Sequence, residues 1–118
     1  MESKAVSSIF NEIKEFAAKF IGIMIDFYGS PENDQPIIRC KSEHKIMTFN
    51  GEFVLDGVIK QDDGSITVSV KDNEGSTIGI SMAEIPVETS VVICNEIAHE
   101  CNVGEMFDSM FEDAFGKP

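Results

Sequence analysis

An α+β domain is the fold class that the sequence predicts, and three observations predict it. Residues 45–82 alternate apolar and polar side chains between tight acidic turns, residues 3–28 repeat apolar side chains at helical spacing, and residues 103–115 do so again. The reading is one domain over residues 1–118. It has an N-terminal amphipathic helix, an antiparallel meander of four or five strands that could close into a small curved barrel, and a C-terminal amphipathic helix.

In the first helix Val6, Ile9, Phe10, Ile13, Phe16, Ala17, Phe20, Met24 and Phe27 form the apolar side, and Lys4, Asn11, Glu12, Glu15 and Lys19 the polar one. Ser3 can cap its start, and Gly29 followed by Pro31 supplies its stop. Phe10, Ile13, Phe16 and Phe20 are expected to hold the sheet. Ile21 to Phe27 contains β-branched residues and Gly22, which would also suit a strand. A helix this long exceeds what a small globule needs, so one end is expected to project or to meet another chain.

Residues 30–35 read as a polar linker and residues 36–40 as the first strand, followed by a turn at 42–44 and a strand over 45–49. Asn50-Gly51 is the strongest hairpin signal. The next strand, 52–60, has Phe53, Leu55 and Ile59 on one side and Val54 and Val58 on the other, with Gly57 marking a bulge or bend. Gln61-Asp62-Asp63-Gly64 and Asp72-Asn73-Glu74-Gly75 are turns that bound the strand carrying Ile66, Val68 and Val70, and a further strand carries Ile78, Ile80 and Met82.

Pro86 breaks the strand pattern, with one short helical turn expected over 83–87. Residues 89–101 divide the reading. Val91, Val92, Ile93 and Cys94 favour a strand on β propensity, which is the preferred expectation, whereas Ser90 as a cap followed by Cys94, Ile97, Ala98 and Cys101 fits a helix. A strand there would give an ending that resembles small barrels of the SH3 and Sm type. Met106, Phe107, Met110, Phe111, Ala114 and Phe115 form the stripe of the last helix, with Asn102 and Glu105 as a capping pair.

The chain carries 21 acids against 9 bases, a formal charge of −12. Direct binding to nucleic acid or to an anionic membrane is disfavoured by that sign, and basic partners are favoured. Charges interrupt the apolar runs of the first 28 residues, so no signal peptide or membrane span is read there. With three cysteines and no export signal, a reducing cytoplasm is the expected compartment.

Candidate chemistry is sparse. Cys40, His44, Cys94, His99 and Cys101 include soft metal ligands, but their spacing matches no paired zinc knuckle, and Val103 stands where a zincin would need its second histidine. Glu43-His44-Lys45 with Asp34 resembles a nuclease metal element only in its short string, and an acidic chain would approach DNA against its own field. Asp62, Asp63, Asp72 and Glu74 serve turns more readily than calcium. No phosphate loop occurs, and no cofactor is expected.

The charge distribution therefore carries the functional expectation. Glu96, Glu100, Glu105, Asp108, Glu112 and Asp113 follow one another from residue 95 to 115 without an intervening base. They are read as a docking surface for a basic protein partner, in a small acidic, non-catalytic binding module such as an inhibitor or accessory factor that covers a nucleic-acid-binding surface. The alternatives are a small enzyme or metal protein using the Cys/His set, and a structural subunit that forms a homo-oligomer through its N-terminal helix.

Overall fold

The computed structural model describes residues 2–102, with side chains from Ser8 onward. In chain order it contains α1 (Glu2–Tyr28), β1 (Ser30–Glu32), β2 (Gln35–Arg39), β3 (Lys45–Thr48), β4 (Gly51–Lys60), β5 (Ile66–Lys71), β6 (Thr77–Ser81), a 3-10 turn (Met82–Glu84) and α2 (Val87–Glu100). The strands form one six-stranded antiparallel sheet ordered β1-β2-β4-β5-β6, with β3 also paired to β4. It is open, so the barrel expectation is corrected. Helices α1 and α2 flank it, and the expected helix over 103–115 lies outside the described residues.

The residues read as a polar linker form a hairpin. Asn33 and Asp34 both take positive φ, 54° and 65°, which permits a tight turn and allows β1 to fold back on β2. Asn and Asp tolerate that region because their short polar side chains offset its steric cost.

Strand β4 is the hinge of the sheet. Its first half pairs with β3 and its second with β2 along the same edge, while β5 runs along the other, and the β5 register shifts between Leu55 and Gly57. This bulge changes the phase of the side chains. Phe53, Leu55 and Val58 consequently belong to the core, whereas Asp56 and Ile59 line a depression on the opposite face. The expected sides of Val58 and Ile59 are thereby exchanged. A Cβ at residue 57 would run into Ile38 O, which is why glycine occupies the bulge.

The core lies between the sheet and the helices, around Phe20, Ile21, Ile25, Leu55, Val68, Ile93 and Ile97. Ile21 and Ile25 are inside it, so tertiary burial overrides their strand preference and α1 continues to Tyr28. Phe10 and Phe27 are exposed, contrary to the stripe read from spacing alone, while Phe16 is partly buried against the core.

Residues 87–100 form a helix, which overturns the strand expectation for residues 89–101. Ser90, Ile93, Cys94, Ile97 and Ala98 are all buried, a spacing that faces one helical side inward and outweighs the β propensity of Val91 to Ile93. Ser90 is inside the helix rather than its cap: its N–H donates to Pro86 O at 2.9 Å and its hydroxyl to Val87 O. Asn102 takes φ 59° just beyond the end, where the N–H groups of Cys101 and Asn102 close the last turn.

Candidate functional site

The Cys/His set does not assemble into one centre. Cys94 is buried against α1, its thiol facing Ala17 O at 3.6 Å, and burial pushes its pKa far up. Cys40 is half-buried after β2, and its thiol is pushed up to about 12, first by burial and then by Glu100 and Glu96. Cys101 is raised as well, by burial and then by Glu100. All three are therefore held as thiols near neutral pH, which works against nucleophilic use. His99 is exposed on α2. Among the described residues, no group of three or more His, Cys, Asp or Glu could hold a metal ion.

Glu96 and Glu100 are turned toward their own chain. Glu96 Oε1 lies 3.3 Å from His44 Nδ1, and its Oε2 accepts from Ser42 Oγ at 3.1 Å. Glu100 Oε2 accepts from the Lys41 N–H at 3.2 Å. These bonds fasten α2 to the segment between β2 and β3. The other acids of that predicted surface, Glu105, Asp108, Glu112 and Asp113, lie outside the described residues.

Turn geometry accounts for two of the other acids. Asp63 Oδ1 accepts from both Oγ and N of Ser65, bonds that hold its carboxyl below the usual range, and Asp72 Oδ1 accepts from the N–H groups of Glu74 and Ser76. Asp34 is exposed in the β1–β2 turn, and Glu43 is exposed after β2.

A second polar cluster lies opposite the helices. Asp56 is buried where the bulge turns it outward, and it meets Arg39 Nη1 at 3.1 Å, Ser69 Oγ at 3.0 Å and Lys71 Nζ at 3.6 Å. Glu32 holds the other side of Arg39 at 3.0 Å. Both carboxylate oxygens of Asp56 are engaged, so the cluster closes on itself and anchors the bend of β4.

The β3–β4 hairpin tip has a different character. Met47 and Phe49 are 56% and 73% exposed there. Glu52 is directly across the ladder from Met47, and Thr89 Oγ1 donates to Met47 O at 2.6 Å, which brings the start of α2 and neighbouring Glu88 to the same end. Both acids are exposed. Sequence reading placed the hairpin at Asn50-Gly51 but missed the exposed apolar side chains at its tip, although Phe49 immediately before the turn was a legible signal, since an aromatic side chain in a tight turn has no sheet face to enter.

No helix among the described residues is long and apolar enough to cross a membrane. Comparison with protein families gives no match, and comparisons with curated proteins and with solved structures give none.

Proposed function

We propose that this chain is a non-catalytic acidic module that docks on a basic surface of a protein partner, with Met47 and Phe49 as its apolar anchors. The observation carrying the proposal is their exposure beside Glu52 and Glu88. Apolar side chains at the centre of an interface supply affinity, and surrounding charges steer the encounter.

The distribution of charge supports the same reading. Arg39, Lys60 and Lys71 are taken up in ion pairs with Glu32, Asp26 and Asp56, and Lys14 donates to Ala83 O. Glu12, Glu15, Glu43, Glu52, Glu84 and Glu88 are exposed and enter none of the ion pairs found among the described residues. These pairs take up acids and bases alike, so outside them the exposed acids among the described residues still outnumber the exposed lysines, Lys19, Lys41 and Lys45, and the surface met by a partner keeps the acidic sign of the composition. An inhibitor or accessory factor that covers a nucleic-acid-binding site is one form of such a module, and the acids at residues 105, 108, 112 and 113 extend its charge.

The test is capture of host proteins on the immobilised chain, followed by kinetics with the purified partner. Association should slow as salt rises, and Phe49→Ser should abolish capture without lowering the melting temperature. A partner whose binding ignores both salt and Phe49→Ser would overturn the proposal.

A further inference from the structure

We infer that β6 is a self-pairing edge through which two copies of this chain form a continuous antiparallel sheet, clasped by the projecting ends of their α1 helices. The inference goes beyond the docking proposal and uses a different part of the molecule.

Strand β6 pairs with β5 on one edge, and no described strand occupies the other. Edge strands are commonly protected by charge, proline, a bulge or brevity. Thr77-Ile78-Gly79-Ile80-Ser81 has no charge or proline, its register against β5 is unbroken, and it matches the usual strand length of about five residues. On a chain of net charge −12, this is a strip where a second copy can approach without placing like charges in register.

The strip is also self-complementary. An antiparallel pair centred on Gly79 puts Ile78 opposite the second copy's Ile80 on the helix side, and Thr77 opposite its Ser81 on the other side. The Asp72 N–H to Ser76 O bond at 3.0 Å fixes the phase of the β5–β6 hairpin. Thr77, Gly79 and Ser81 therefore turn their backbone N–H and C=O groups toward the free edge. Pairing two such edges makes about six backbone hydrogen bonds.

Helix α1 supplies the rest of the surface. It passes β4, β5 and β6 in turn: Asp26 pairs with Lys60 at 2.9 Å, Gly22 lies against Ile66, and Lys14 donates to Ala83 just after β6. The turns before Asn11 run on past the edge, where Ile9 and Phe10 are 52% and 44% exposed. Ile78 is itself 40% exposed, toward the end of β6 that α1 does not reach. A two-fold axis at Gly79 reverses the second strand, so each overhang arrives above the other copy's Ile78. A five-residue ladder alone falls short of the roughly 1,000 Å² expected of a specific interface, and this overhang adds the missing apolar area.

The experiment is sedimentation velocity on the full chain over a concentration series reaching about 1 mM, at low and high salt. Dimer should form and should strengthen with salt, because screening relieves repulsion between two acidic chains. That is the opposite salt response to the one expected of a basic partner, so the two proposals fail independently. Ile78→Lys and Phe10→Ser alter exposed side chains, and each should raise the dimer dissociation constant by about tenfold or more with an unchanged melting temperature. Amide exchange at Thr77, Gly79 and Ser81 should slow as concentration rises. A monomer throughout, or a dimer indifferent to Ile78→Lys, would overturn the inference. Concentration-independent protection of those amides would do the same by assigning the edge to this chain's own residues 103–118.

Discussion

Glu96 holds His44 and Ser42 with its two carboxylate oxygens, at 3.3 and 3.1 Å, so one side chain on α2 secures the segment that joins β2 to β3. That segment carries Cys40, whose thiol is raised by burial and by the negative charges of Glu100 and Glu96. Glu96→Ala should cost no more than about 1 kcal/mol, since the pair is partly exposed to solvent. Its clearer effect is expected on chemistry: loss of the charge and of the clasp lowers the Cys40 pKa, so alkylation at fixed mildly alkaline pH should accelerate. Peptide mapping after timed alkylation checks the site, and an unchanged rate at Cys40 would show that Glu96 neither clasps nor polarises this segment.

The two ends of α1 should respond differently to truncation. Phe20 is 1% exposed within the core, and Phe20→Ala should cost about 3–5 kcal/mol. Phe10 lies on the overhang, so Phe10→Ala at dilute concentration should change stability by no more than about 0.5 kcal/mol. Urea titrations of both variants measure the contrast, and equal losses would mean that the overhang is folded against the body of the domain.

The same helix shows what was legible in the sequence. Ala17, Phe20 and Met24 were readable as core positions by spacing, but spacing does not reveal where the sheet stops beneath a helix, and that boundary decides the exposure of Ile9 and Phe10. Strand alternation located β5 and β6 by their period of two, although β5 buries Ser69 as well as its apolar face and only Ile80 of β6 is partly covered. It mistook residues 89–101, where Val91, Val92 and Ile93 carry β propensity but the buried positions follow a helical period. The exposed pair Met47 and Phe49 was missed because Met47 fits an ordinary alternating strand until its neighbours are known. Likewise, the run of acids from Glu96 onward gave no sign that its first two members bond to residues over fifty positions earlier.

Thiol burial sets an alkaline limit on the fold. An unfolded thiol ionises near about 8.5, whereas Cys40 is held protonated up to about 12 and Cys94 is shifted upward as well. Above the unfolded value the unfolded chain has released protons that the folded chain retains, so stability must fall as pH rises. It is fully present below about 8.5 and is lost progressively toward 12. Denaturant midpoints between those limits should drop less steeply for Cys40→Ser than for the unaltered chain. Parallel slopes would exclude ionisation of Cys40 as a cause of the loss.

Gly57 should be the residue least tolerant of a small change. The bulge turns Leu55 and Val58 to the same face and Asp56 to the other, so core packing and the Arg39–Asp56–Ser69 cluster both depend on the register shift. A methyl group at residue 57 would meet Ile38 O and crowd Arg39 Cα, which are backbone atoms of a paired strand and cannot turn aside as a side chain would. Gly57→Ala must therefore separate β2 from β4 or remove the bulge, and removing it would rotate Val58 out of the core. A loss of at least about 2 kcal/mol is expected, within the range of overpacking in a well-packed interior. Gly64→Ala offers a control, because a methyl group there would meet nothing within 4 Å and only the φ of 89° is unfavourable. Urea titration should rank Gly57→Ala well below Gly64→Ala, with amide exchange of Cys40, whose N–H donates to Asp56 O at 2.8 Å, accelerated only in the former. Equal stability of the two variants would mean that β2 and β4 are not held as closely as the bulge requires.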